Sequence, residues 1–470
     1  MVDQVVVEAP ERLGAQEPPE SGAWARWRPL LLRLHFYGGL LAGPFILVAA
    51  LTGLLYTCTP QLDGIVFQHE VTVNATAPHR TSLAAQIAAA RTVYPEAPIT
   101  SVKPPTVASE TTQIAFAAPG VPQDYTRTVF VNPYTAQVQG TLTTYGQWLP
   151  IRSWFDTMHR TLHLGVVGRC YSEIAASWLW VIALGGLALW IGGARGRRGA
   201  RGLVVPDRAA TGRARTRSWH GAVGGWIVLG LLALSVTGLT WSRFAGEHVS
   251  ELRSQLSWTT PSVSTALPGD PSAEVAPGSS APDPTAGADA VLAGAEQLGL
   301  KGPMWMTPPA KPGQAWQVAE NKRDFPTRQD AAAIAPDGHV VDVVRFASWP
   351  ITAKLTRWAV DTHMGILFGL PNQIALAALA VCLLTVIARG YVMWWRRRPT
   401  RGGFAPGPRR GALAGLRPIE AVVAVAVLVG VGWFAPLFGT TLGLFVLGDA
   451  LVGEYRRRRA GIPVGTGGCA

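Results

Sequence analysis

The chain has 470 residues, 48% of them hydrophobic and only 15% charged, with a net charge of +12. That charge does not point to nucleic acid, because the basic residues crowd into loops beside apolar runs, where membrane topology and anionic lipid account for them. Four cysteines at spacings that fit no metal site make no disulfide framework. Cys58 and Cys170 fall near the same ends of two spans, where one bridge could form, but unpaired thiols are the expectation.

Residues 1–29 are acidic and lack an apolar h-region, so they read as a disordered cytoplasmic leader rather than a cleaved signal. A first span follows at 30–58, and apolar runs at 174–193, 221–241 and 374–395 are each long enough for a bilayer core that needs about twenty helical residues. Those runs belong to segments 148–194, 218–244 and 348–395, two of which begin with an interfacial helix. The apolar tract at 419–455 is too long for one crossing and carries Pro436, so it reads as two helices meeting at that proline. Arg195, Arg197, Arg198, Arg201, Arg208, Arg213, Arg215 and Arg217 against Asp207 alone place the 195–217 loop in the cytoplasm. The arginine-rich loop at 396–418 and the tail at 456–470 belong on that side as well. Both termini are then cytoplasmic.

Between spans one and two, residues 59–147 read as a small α+β module outside the membrane. Ser82–Tyr94 has helical spacing, with Leu83, Ile87 and Ala90 on one face, and Ile99–Lys103, Thr112–Phe116 and Thr128–Val131 read as strands before a turn at 131–136. Residues 245–347 repeat that order after a Pro/Ser/Ala/Gly-rich linker at 260–287. The repeat has a helix at Ala288–Leu298, strands at Met304–Thr307 and Ala315–Ala319, and a Pro336-Asp337-Gly338 turn.

The spans repeat as well. A shift of 185 lays His35, Gly39, Thr52 and Gly53 on His220, Gly224, Thr237 and Gly238, and a shift of 204 lays Trp154, His159 and Gly165 on Trp358, His363 and Gly369. The chain therefore reads as an internal duplication: a membrane all-α bundle of four core helices plus a C-terminal hairpin, with two small α+β modules outside.

His35 and His220 open spans that start in the cytoplasm, and His159 and His363 precede spans that start outside. Ionisable side chains at membrane depth are costly and need a partner or cofactor. Two imidazoles from facing helices saturate a haem iron and make it an electron carrier. Gly38, Gly39, Gly224 and Gly225 would let a flat macrocycle approach, and Arg33, Arg217, Arg160 and Arg357 are near enough in sequence to pair with propionates. His163, one turn past His159, is a neighbour or an alternate ligand. Against this, a single boundary histidine is more often an interface anchor or a helix–helix hydrogen-bond donor. Zinc is disfavoured because no Cys, Asp or Glu completes either pair.

At these residues the sequence resembles the PepSY-associated transmembrane family of iron-regulated membrane proteins. The matching stretches are Leu34-His35 through Thr52-Gly53-Leu54, His159-Arg160-Thr161-Leu162, Gly168-Arg169, Glu173 through Trp178, His363 with Gly365 and Gly369, and the 436–449 part of the hairpin. Asn372-Gln373 stand where the family usually has Gly-Arg, and span two reads Gly185-Gly186 in place of a Thr-Gly pair. The resemblance implies PepSY-like modules, a bacterial cytoplasmic-membrane location, and a di-haem ferric-siderophore reductase with two bis-histidine haem b groups. Neither a flavin nor a dinucleotide fingerprint is present, so a quinol or a soluble carrier is the expected donor. A non-enzymatic PepSY protein that binds a partner or restrains a protease is the alternative reading. A chelate or metal transporter is a third, disfavoured by the scarcity of intramembrane carboxylates.

Overall fold

The computed structural model describes residues 22–74, 76–194, 201–267, 282–398, 407–408, 410–413 and 415–459. The leader before residue 22, residues 268–281 of the linker, the end of the tail, and Arg195, Arg197, Arg198, Arg401 and Arg409 lie outside the described residues.

The chain opens on α1 (Ala23–Leu41) and α2 (Gly43–Tyr56), then α3 (Thr59–Val66), α4 (Gln68–Val71) and α5 (Leu83–Arg91). Strands β1 (Ile99–Lys103), β2 (Thr112–Phe116), β3 (Tyr125–Val131) and β4 (Val138–Tyr145) lead to α6 (Pro150–Thr161) and α7 (Gly165–Ala194). After α8 (Arg201–Val204), α9 (Gly212–Thr240), α10 (Phe244–Gln255) and α11 (Ala288–Gln297) come β5 (Met304–Thr307), β6 (Trp316–Glu320), β7 (Ala331–Ile334) and β8 (Val340–Val344). The chain closes with α12 (Ile351–His363), α13 (Leu370–Trp395), α14 (Pro418–Phe434) and α15 (Pro436–Arg459).

Helices α7, α9, α13 and α15 are each long and apolar enough to cross a bilayer. The first span departs from expectation. It is a bent pair, α1 and α2, that turns through 58° at Ala42, where Gly43 and Pro44 follow and the proline opens α2 in its first turn, a position that needs no amide hydrogen. Helix begins already at Ala23, inside the expected leader, and α9 begins at Gly212, inside the expected loop. At the hairpin the helices do meet at Pro436. They approach so closely there that a Cβ on Gly432 would stand 2.9 Å from the Gly439 Cα.

Strands β1, β2 and β5 fall where expected, β6 is shifted by one residue and β3 begins three residues early, but two separate modules are not what forms. All eight strands join one antiparallel sheet in the order β4-β3-β2-β1-β5-β6-β7-β8. The halves meet where β1 pairs with β5 at Val102 and Met306. A common core seals the seam: Ile87 of α5 and Val291 of α11 belong to one buried cluster with Val102, Ile114, Met306 and Val318. A two-layer core of this kind buries one face of the sheet under two helices, which neither half could cover alone. Because both halves share one sheet, they lie on the same side of the spans, as the two crossings α7 and α9 between them require. Cys58 and Cys170 are free thiols.

Candidate functional site

The helices bring the four histidines together as two pairs. His35 on α1 and His220 on α9 have ring centroids 6.1 Å apart, and His159 on α6 and His363 on α12 are 6.4 Å apart. Along α9, His220 and Thr237 are 17 residues apart, roughly 25 Å at the helical rise. The pairs therefore occupy different depths, one at the sheet end and one at the far end.

Every ring is held by the same atom. Nδ1–H of His35 donates to the Ile182 carbonyl at 2.8 Å, and that of His220 to the Val386 carbonyl at 2.9 Å. At the other level, Thr52 Oγ1 gives its hydrogen to the Val48 carbonyl at 2.9 Å and so accepts from His159 Nδ1 at 3.0 Å. Thr237 likewise donates to the Ala233 carbonyl at 2.7 Å and accepts from His363 Nδ1 at 2.5 Å. A hydroxyl has one hydrogen, so its direction fixes the tautomer of the ring it meets. In the neutral ring Nε2 then keeps its lone pair, and none of the four Nε2 atoms has a hydrogen-bond partner among the described residues.

Glycines set the rings' positions. A Cβ on Gly186 would stand 2.7 Å from His35 Cε1, and one on Gly53 would stand 3.3 Å from His159 Cε1. Gly39 and Gly224, one turn past His35 and His220, would meet nothing within 4 Å if given a Cβ, which leaves the space beside that pair clear. Gly38 corrects an expectation: its missing side chain admits Trp178 and Ile182 of α7, so it serves helix packing. At the corner from α6 to α7, a Cβ on Gly168 would fall 1.6 Å from the Thr161 carbonyl oxygen, so only glycine lets the chain turn directly from His159 into its span.

His163 is excluded from the pair. It sits at φ 56° with Nε2 on the Trp154 carbonyl at 3.1 Å and its ring on Trp154 at 4.9 Å, fastening the corner. The arginines divide. Arg160 lines the cleft that surrounds His159 and His363 and pairs with Asp156 at 2.9 Å. Arg217 is exposed on α9. Arg33 is instead committed to Asp449 of α15 at 2.8 Å, which ties the hairpin to α1. Arg357 is committed to Asp361 at 3.1 Å. Proximity in sequence to a histidine thus leaves open which partner an arginine takes: Arg33 and Arg357 each meet a carboxylate.

The cleft at the sheet end is walled by small and aliphatic side chains from α2, α7, α9 and α13, with Arg160, Arg169, Ser172 and Ser242 among its polar residues. Arg169, Gly186 and Gly390 were not legible as site residues in the sequence. The signal for the last two was there, since the shift of 204 lays Gly186 on Gly390, whose own Cβ would stand 3.5 Å from His220 Cε1.

Thr52→Val and Thr237→Val keep the volume of each side chain but remove the acceptor that orients the ring. Loss of such a supporting bond typically weakens metal binding about 10–100-fold. If the sheet-end pair holds a metal centre, each valine variant is expected to weaken binding there by that factor and to leave the far pair unaffected, as a titration with haem checks.

Helices long and apolar enough to cross a bilayer, with an antiparallel sheet at one end of the bundle, mark a helical membrane protein. A family model described as the PepSY-associated TM region matches residues 32–397, and the chain belongs to that family. No functionally curated protein matches it.

Proposed function

We propose that the chain is a transmembrane oxidoreductase that binds one haem b at each histidine pair and passes electrons across the membrane to a ferric chelate, such as a siderophore, on the sheet side. The observation that carries this reading is the spacing of the rings. Two imidazoles bound through Nε2 at the usual metal–nitrogen distance of about 2.0 Å hold their centroids roughly 6.3 Å apart, and the pairs stand at 6.1 Å and 6.4 Å. Each pair offers two ligands, and among the described residues no group of three or more His, Cys, Asp or Glu converges on a metal position. Such a pair suits a metal whose remaining ligands come from a macrocycle. Bound haem supplies one-electron oxidation and reduction; the protein's residues fix where that happens.

The equivalences support an internal duplication. Ile182 and Val386, which accept from the two far-end histidines, are 204 positions apart, as are His159 and His363, and the sheet halves meet at Val102 and Met306, also 204 apart. An antiparallel pair joining equivalent residues lies where a twofold axis would pass. Duplication would then give two facing ligands at each depth from one ancestral unit. The arginines after α13 and before α9 sit at the end opposite the sheet, and cytoplasmic loops carry such an excess. On this reading the His35–His220 pair lies near the cytoplasmic face, where a quinol or a soluble carrier would donate, and the sheet lies outside a bacterial cytoplasmic membrane.

Protein purified from haem-replete cells is expected to be red, with a b-type spectrum on reduction by dithionite and one haem for each histidine pair. A colourless preparation would overturn the proposal.

A further inference from the structure

The cleft around His159 and His363 is lined mainly by apolar side chains, with Arg160, Arg169 and Asp156 as its charged residues, and Arg169 has no assigned part. Arg169, on the first turns of α7, donates to the Trp241 carbonyl at 3.3 Å and forms no ion pair among the described residues. Arg160, beside His159, shares Asp156 and is 43% exposed. Both line the cleft, whereas Arg357 is held by Asp361 and by Asn321 at 3.3 Å. The apolar lining of the same cleft includes Ala49, Ala50, Ala175, Ala176, Leu234 and Leu383. Small side chains of this kind accept a flat apolar face, while a guanidinium without a carboxylate selects an anionic edge.

We propose that Arg169, assisted by Arg160, clamps the carboxylates of the ligand held by His159 and His363, so that the carboxylate edge of a dicarboxylate macrocycle faces the sheet end between α7 and α9. This rests on the haem reading and adds to it the orientation of the bound group and a residue that fixes it. Blocking the carboxylates as methyl esters removes the charge the clamp recognises and leaves the iron and its imidazole ligands unchanged.

The test is an absorbance titration of the stripped full chain with haem and with haem dimethyl ester, in a His220→Ala background so that only the sheet-end pair reports. The unmutated clamp is expected to prefer haem about tenfold or more, the scale of a charge-assisted hydrogen bond. Arg169→Leu should lose most of that preference yet give the same bis-imidazole spectrum at saturation, which also attests to folding, and Arg169→Lys should retain part of it. Arg169→Gln serves the same comparison if the leucine variant does not fold. An unchanged preference in the charge-removing variant overturns the clamp and leaves the haem reading standing. Uptake of neither form by the chain with all four histidines overturns the haem reading itself.

Discussion

Replacing His363 with alanine is expected, on the haem reading, to abolish ferric-chelate reduction while the far-end pair still holds a haem that can be reduced. The ring of His363 faces His159 across 6.4 Å at the sheet end, where a bulky hydrophilic chelate that cannot enter lipid would arrive. Removing it leaves one imidazole where two would be needed to hold the haem as a saturated electron carrier. His159→Ala should behave alike. His35→Ala and His220→Ala should each remove the same haem from the opposite end, because these two rings form one pair. His163→Ala should do far less, since that ring is spent on Trp154. Counting haem per chain and recording the spectrum and potential of the haem that remains, beside ferric-chelate reduction, checks this in the five variants; loss of different haems in His35→Ala and His220→Ala would show the pairs to be wrong.

Asp361→Leu is expected to cause the largest loss of stability. Its carboxylate is fully buried two residues before His363. It accepts from Arg323 Nε at 2.7 Å and again from that guanidinium's terminal nitrogen, and it pairs with Arg357. Arg323 comes from the connection between β6 and β7, so this contact fastens the sheet to the helix that carries a site histidine. Trp148 continues the joint, with Arg152 3.8 Å above its ring and Arg323 at 5.1 Å; Arg152 Nε donates to the Tyr56 hydroxyl at 2.9 Å. Removing one member of a buried ion pair costs about 3–5 kcal/mol, because the other charge is left uncompensated. Thermal unfolding in detergent should register that loss, and Arg323→Met added to Asp361→Leu should recover part of it. No recovery in the double variant would mean that the aspartate acts through something other than this arginine.

The histidine pairs were legible because depth follows from span direction, and because two shifts of the sequence onto itself preserved all four residues. Their supports were only half legible. Thr52 and Thr237 stood out as equivalents, but which atom they met depended on α6 and α12 folding back onto α2 and α9. Gly186 read as a departure from a pattern when it is the residue that admits His35. The ion pairs of Arg33 and Arg357 with Asp449 and Asp361 were not legible, and the first of these partners lies more than 400 residues away in the chain. Helix α10 was missed altogether; its first amides, Phe244 and Ala245, are held by the buried carboxylate of Glu173, a cap supplied by another helix rather than by a neighbour in sequence. The bend at Ala42 was visible in Gly43-Pro44 but is masked when hydropathy alone defines the span.

The seam in the sheet bears on how the protein is made. Strand β1 is synthesised some two hundred residues before β5, its partner at Val102 and Met306, and two membrane spans must be threaded in the interval. Until then the nascent first half presents a bare strand edge and a half-covered apolar face, the features that invite pairing with a wrong chain. Correct insertion of α7 and α9 is therefore a precondition for closing the head, and a ribosome that stalls within α9 would leave an exposed edge for quality-control proteases to find.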